Sequence, residues 1–305
     1  MTSIFELKRE IVAKEKERID KYLKKYLPFS REKIQKLIKN GFIVVNGEKI
    51  EPSYKLKIGD KIEISDDKIE SASSIPPENL PLEIIYEDED IIVINKPPGI
   101  ITHPTPQSLK GTLLNRILAH TTLSQIGAPL RPGVVHRLDK ETSGVIVFAK
   151  SDYAYWNLVE QFKNRNVEKT YLAFVKGKFL PQEKVVEFTV VHDKENPTKM
   201  KVRFLRGKKA ITRIKVLKYC GNFSLLEVKP LTGRTHQIRI TLKYLGFPIL
   251  GDTKYGVESE LIKRTALHSY KLSLHHPREN KKMEFTAPLP DDLKVLLREC
   301  LSFEK

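Results

Sequence analysis

Only two of the 305 residues are cysteine, Cys220 and Cys300. Their isolation offers neither the paired spacing of a metal site nor a disulfide framework, and a reducing cytoplasm is the expected compartment. No apolar run reaches the length that spans a bilayer, so no membrane partner is expected. The N-terminal residues lack the basic, apolar, small-residue succession of a secretory leader, and none is expected. Neither Gly-x-x-x-x-Gly-Lys-Ser/Thr nor Gly-x-Gly-x-x-Gly occurs, so no nucleotide cofactor is indicated. His268, His275 and His276 stand without metal-ligand spacing or an accompanying cysteine cluster, so no metal is expected either. Internal repeats are absent.

Acidic residues are also in short supply, 38 against 54 Lys and Arg, for a formal net charge of +16. Such an excess suits a polyanionic partner, because each phosphate contacted releases condensed counterions. A thermophilic Lys- and Glu-rich surface could give a similar total, so the distribution decides. Between Glu195 and Glu227 nine basic residues, Lys208 and Lys209 among them, occur with no acidic one. From Lys16 to Lys39 there are nine more, including Arg18, Arg31 and Lys36, against Glu17, Asp20 and Glu32. Stabilising ion-pair networks would intersperse the signs; clustering favours nucleic acid.

The chain reads as two domains. In residues 1–65, Ile19, Tyr22, Leu23 and Tyr26 recur at helical spacing, and Pro28-Phe29-Ser30 ends that helix and caps a second. Ile34, Leu37 and Ile38 form its inward face, and Asn40-Gly41 stops it. The strand Phe42-Ile43-Val44-Val45 then meets Asn46-Gly47, a strong hairpin signal. Residues 66–81 are polar, carry Ser71, Ser73, Ser74 and Pro76-Pro77, and read as a linker. The second domain, 82–305, opens at Leu82-Glu83-Ile84-Ile85-Tyr86-Glu87-Asp88-Glu89-Asp90, followed by the strand Ile91-Ile92-Val93-Ile94. It continues with helices near Thr112 to His120 and Tyr153 to Phe162. Strands are expected at Tyr171–Val175, Met200–Phe204, Thr212–Leu217 and Leu225–Val228. Short strands with scattered helices and no regular βαβ repeat predict an α+β fold with a mixed, mainly antiparallel central sheet.

The most informative stretch is His136-Arg137-Leu138-Asp139-Lys140-Glu141-Thr142-Ser143-Gly144. Val134-Val135 before it and Val145-Ile146-Val147-Phe148 after it predict strand, loop, strand, with Asp139 on the connection, where catalytic groups tend to sit. Gly233-Arg234-Thr235-His236-Gln237-Ile238-Arg239 places two arginines and a histidine on a turn leading into a helix, a grouping that can grip phosphate. Tyr171 in Lys169-Thr170-Tyr171 and Leu267 in Ala266-Leu267-His268 read equally as core residues. Gly251-Asp252-Thr253-Lys254-Tyr255-Gly256 reads as a tight Gly-bounded turn.

Together these segments resemble the RluA-type pseudouridine synthases, over roughly Glu17 to Leu296. Arg18, Asp20, Arg31 and Val45-Asn46-Gly47 resemble the RNA-binding domain of small-subunit ribosomal protein S-four. The order of domains is most similar to synthases of the RluD and RluC kind. The resemblance implies an isomerase, an intramolecular transferase that converts uridine to pseudouridine in structured RNA without a cofactor. Large-subunit (23S) ribosomal RNA is the expected substrate, with transfer RNA as an alternative and a non-enzymatic ribosome-assembly factor as another. A monomer is expected.

By the same resemblance, Asp139 is the catalytic carboxylate. It acts either as nucleophile on the sugar or as base toward its 2′ proton. Arg239, in preference to Arg234, pairs with it, and an adjacent guanidinium typically lowers a carboxylate pKa by about 1–3 units. Tyr171 stacks on the uracil or serves proton transfer, and Leu267 supplies an apolar floor. Arg137 holds the extruded nucleotide or fills the space it leaves. His236, Arg234, Lys208 and Lys209, with Arg18, Arg31 and Lys36 of the first domain, are expected to contact RNA.

Overall fold

The computed structural model describes residues 10–27, 31–65, 75–105, 108–128, 130–193, 195–196, 198–203 and 207–302. The chain divides into two compact units, one formed by residues 1–75 with 126–132 and the other by 76–125 with 133–305.

In the first unit, β1 (Glu10–Val12) leads to a short helix α1 (Ile19–Tyr22) that tightens into a 3-10 turn over Leu23–Lys25. Helix α2 (Arg31–Lys39) and strands β2 (Ile43–Val45), β3 (Glu48–Lys49) and β4 (Lys61–Ile64) follow. The sheet runs β1-β4-β2-β3. Ile19, Tyr22, Leu23, Ile34, Ile38, Ile43 and Ile62 form its core, each fully buried apolar side chain contributing about 1.5–3 kcal/mol. Asn46 and Gly47 both take positive φ, 51° and 79°, as the tight turn between β2 and β3 demands. Asn46 also grips Asp60 through its amide and accepts the Lys61 N–H.

Two expectations for this unit change. Tyr26 lies 44% exposed, because the helix tightens before reaching it and carries its ring outside the core, tilted against that of Tyr22. Arg18 and Arg31 are not free cations. Both bond the wholly buried Asp20, at 3.1 and 2.9 Å, and Gln35 bonds the same carboxylate. Burial pushes the Asp20 pKa up, but these partners outweigh it and hold it below the ordinary carboxylate value. Lys36 is exposed. The expected cap at Pro28-Phe29-Ser30 lies outside the described residues.

In the second unit Pro76 to Pro81, read from composition as the end of the linker, is tied to helix α3 (Leu113–His120). Asn115 donates to the Pro76 carbonyl, while its own amide oxygen accepts the N–H of the capping residue Thr112. The central sheet contains β5 (Ile84–Glu87), β6 (Ile91–Lys96), β7 (Ser143–Ala149) and β8 (Glu168–Lys176). It also contains β9 (Glu183–His192), β10 (Met200–Arg203), β11 (Lys208–Cys220) and β12 (Phe223–Pro230). Strands β13 (Leu267–His275) and β14 (Lys282–Thr286) complete it. The order is β10-β9-β11-β12-β8-β13-β7-β6-β5, with β14 beside β13. Only the β13–β7 contact is parallel among the described pairs, so the mixed, mainly antiparallel sheet holds. Helices α4 (Asp152–Asn164), α5 (Gln237–Tyr244) and α6 (Asp291–Ser302) accompany it.

Three details depart from expectation. Val134-Val135 is not a strand. Val134 makes a single bridge to Phe148, and the pairing ends where the His136 ring, rather than a backbone carbonyl, takes the Val147 N–H at 3.1 Å. The basic tract is less unmixed in space than in sequence. Strand β9 brings Glu183 opposite Lys215 and Glu187 opposite Ile211, and Lys209 pairs with Glu187 at 2.7 Å. Such exposed pairs are worth about 0–1 kcal/mol, so a phosphate can displace them. Finally, Cys220 and Cys300 are joined as a disulfide. Spacing rules register local pairs, whereas the end of β11 and helix α6 meet only through the tertiary fold.

Candidate active site

The nine-residue motif is held as a taut loop before β7. Thr102 clamps Leu138 from both sides, its hydroxyl donating to the Leu138 carbonyl at 2.9 Å and accepting the Leu138 N–H at 3.2 Å. The fully buried Lys96 donates to the carbonyls of Pro97 and Lys140, at 2.9 and 3.0 Å. Gly99 N–H reaches the same Lys140 carbonyl, and Arg264 bonds the carbonyl of Glu141. Burial draws the Lys96 pKa down to about 7, against the pull of the Glu141 and Asp139 charges. At the loop's end Gly144 has φ +109°, and a Cβ there would run into the Ser269 carbonyl. Glycine therefore lets β7 and β13 lie side by side at the end of the loop that carries Asp139.

Asp139 faces a cleft of about 550 Å³. Its Oδ2 accepts from Arg239 Nη1 at 2.9 Å. The opposite edge of the same guanidinium grips Asp252 twice, Nε to Oδ2 and Nη2 to Oδ1, both at 2.7 Å. Asp252 Oδ1 also accepts the N–H groups of Lys254 and Tyr255. Burial would raise the Asp252 pKa and lower that of Arg239, but the ion pairs overcome it in both. Asp252 is held below, and Arg239 above, its ordinary value. The trio carries two negative charges and one positive.

Asp252 can stand there because of the turn around it. Gly251 has φ +69°, and a Cβ would strike the Arg264 carbonyl. The Tyr255 ring lies on the Arg239 guanidinium, 5.2 Å from its centre. Tyr255 hydroxyl accepts the Met200 N–H and lies 2.9 Å from His236 Nδ1. Its one proton is therefore free for Nδ1, which leaves hydrogen on Nε2, 3.9 Å from Asp139 Oδ2. Burial lowers the His236 pKa despite the Asp139 charge, so the ring is neutral near pH 7. His236 occupies the left-handed region, φ 53°, where it closes the turn into α5.

Tyr171 is buried on β8, opposite Ser269. Burial and the Asp139 charge raise its pKa to about 12, with a hydrogen bond to Ser269 opposing. Its hydroxyl is a donor at neutral pH, not a base. Leu267, 3% exposed, lines the cleft below. Arg137 and Arg234 stand at its walls. Arg234 does not reach Asp139 for a bond; its Nε donates to the Lys209 carbonyl at 2.9 Å. Lys208 and Lys209 are exposed at the start of β11. Arg18, Arg31 and Lys36 belong to the first unit.

Three participants escape sequence reasoning. Asp252 hides in a segment that reads as a turn, although an acidic residue directly after Gly251 is an available signal. Tyr255 carries no signal of its own. Lys169 lies two residues before Tyr171 on the same face of β8 and lines the same cleft, where alternation along the strand places it. Burial lowers its pKa to about 8, and among the described residues it has no acidic partner.

The profile of RNA pseudouridylate synthases matches residues 90–244, and that of the S4 domain matches residues 17–62. An uncharacterized RNA pseudouridine synthase of Bacillus subtilis is 41% identical over 92% of this chain and 93% of its own length. Ribosomal large subunit pseudouridine synthase D of Neisseria meningitidis is 40% identical over 92% of this chain and 78% of its own. The structure of human RNA pseudouridylate synthase domain containing 1 superposes with a TM-score of 0.56 at 28% identity, over 70% of this chain and 86% of that one. No helix among the described residues is long and apolar enough to cross a membrane.

Proposed function

The chain belongs to the RNA pseudouridylate synthase family and isomerises uridine in RNA, and from this we propose that its substrates are uridines of large-subunit ribosomal RNA, with Asp139 as the catalytic group. The ribosomal target rests on relatives of the Neisseria kind, which bear that name. The role of Asp139 rests on one observation above all, its Oδ2 held at 2.9 Å by an Arg239 that is itself clamped by Asp252. Isomerisation breaks the bond from ribose to uracil nitrogen and forms one to carbon-5, so reactant and product hold the same atoms. A base in a stem must first be flipped out, at a cost of a few kcal/mol that pocket contacts repay. Tyr171 and Leu267 would enclose the base, and Arg137, Arg234 and Lys169 would meet the strand. We place the enzyme in the cytoplasm as a monomer, the compartment resting on the location of its RNA substrate rather than on its cysteines, since Cys220 and Cys300 are paired. Mapping pseudouridine in ribosomal RNA from cells with and without the protein tests the target. Loss of specific large-subunit sites is expected; intact ribosomal RNA with sites lost from transfer RNA would move the substrate to transfer RNA.

Lys169 gives a pH signature. A bound phosphate stabilises the ammonium and raises its pKa above the value of about 8 in the free protein. The contribution to RNA affinity is therefore full below pH 8 and is lost as the pH rises through the bound-state pKa. Titrations between pH 7 and pH 10 should show affinity falling for the wild type, and Lys169→Met should flatten that limb. An identical limb in the variant would remove Lys169 from phosphate binding.

The first unit contributes through lysines not committed to Asp20. Replacing the exposed Lys24, Lys36 and Lys39 by Gln should weaken RNA binding and reduce the slope of log affinity against log salt by about 0.7–0.9 per lost phosphate contact. An unchanged slope, measured with one RNA at several salt concentrations, would show these lysines to be only solvated.

A further inference from the structure

We propose that the outward face of α4 is a second RNA contact, on which Trp156 stacks an unpaired base of the strand that enters the cleft. The proposal rests on RNA being the substrate. Helix α4 buries Ala154, Leu158 and Gln161 and turns Tyr153, Trp156, Glu160 and Lys163 outward at helical spacing. Tyr153 and Trp156 are 56% and 60% exposed, an unusual display for two large aromatics one turn apart. The Trp156 ring is steadied by an edge contact with Tyr155, at 5.4 Å between centroids. Tyr153 lies under the Arg278 guanidinium, 5.3 Å away, and Arg278 is anchored to Asp90 by two bonds.

The same helix runs into the active site. Lys163 and Arg165, at its C-terminal end, line the cleft that holds Asp139. Trp156 precedes Lys163 by two helical turns, roughly 10 Å along the axis. One element thus offers an aromatic ring, then two cations, then the cleft, the combination that binds single-stranded nucleic acid through base stacking and backbone charge. A protein partner would want a contiguous apolar patch. Here Glu160 and Lys163 interrupt the face, and Leu158 is turned inward. The acidic groups on this face are Glu160 and, one turn before Trp156, Asp152, which accepts from the Ser124 hydroxyl. On the proposal both direct the backbone toward Lys163 and Arg165 rather than back along the helix.

Trp156 is the single tryptophan of the chain, so intrinsic tryptophan emission of the full-length protein reports on this position alone. Titration with an RNA fragment that supports turnover should quench and saturate the emission at the concentration that saturates the rate. Trp156→Ala should raise KM by about 5- to 150-fold, the worth of one stacked base, with kcat little changed, and Trp156→Phe should recover most of the loss. Emission unmoved by RNA that saturates turnover, or a Trp156→Ala variant with wild-type KM, would overturn the proposal and leave the face to a protein partner. Absence of turnover on every RNA tested would instead count against the function itself, which separates the two failures.

Discussion

Asp139→Asn is expected to bind substrate RNA within a few-fold of wild-type affinity while forming no detectable pseudouridine. The amide keeps the size and planarity of the carboxylate and can still accept from Arg239 through its oxygen, so the loop tied by Thr102, Lys96 and Arg264 has no reason to move. What is lost is the negative oxygen, and with it both chemical roles open to this group, attack on the sugar carbon and removal of the 2′ proton. Binding should survive because the cations that line the cleft are untouched. A tritium-release assay on 5-tritiated uridine RNA measures the first arm and equilibrium binding the second. Turnover by the variant above background would eliminate Asp139 as the catalytic group and restore the reading of a binding protein that uses the same surface.

Asp139 and Arg239 are legible in the sequence because each sits in a compact motif whose residues act near one another along the chain. The Asn46-Gly47 hairpin and the Thr112 start of α3 are legible for the same reason, since turns and caps are written in neighbouring residues. The unread parts depend on register and long-range contact. Glu187 neutralises Lys209 only because β9 lies against β11 in one particular alignment. Val134-Val135 has the composition of a strand, but one histidine side chain occupies the donor that a continuing strand would need. Cys220 and Cys300 meet across 80 residues of chain. Asp252 illustrates the point most directly, since its segment reads as a turn and is a turn. Its function comes from the partner α5 brings to it.

Arg239→Met separates two consequences of the clamp. Removing the guanidinium leaves Asp252, 1% exposed at its side chain, with only the Lys254 and Tyr255 N–H groups. Stripping one partner from a buried ion pair typically costs about 3–5 kcal/mol. It also frees the Asp139 carboxylate to rotate away from the sugar. Both stability and kcat should therefore fall steeply. The double variant Arg239→Met, Asp252→Leu resolves them. Replacing both ends of a buried pair by apolar side chains of similar volume is often neutral or better, so its thermal midpoint should return most of the way to wild type. Its kcat should not, because nothing then orients Asp139. Asp252→Asn alone should lie between, keeping a neutral acceptor for Arg239 while weakening its grip. Denaturation curves and single-turnover rates on the same preparations give both readouts. If activity returned with stability in the double variant, Arg239 would be a structural residue only, and the orientation of Asp139 would have to come from its own loop.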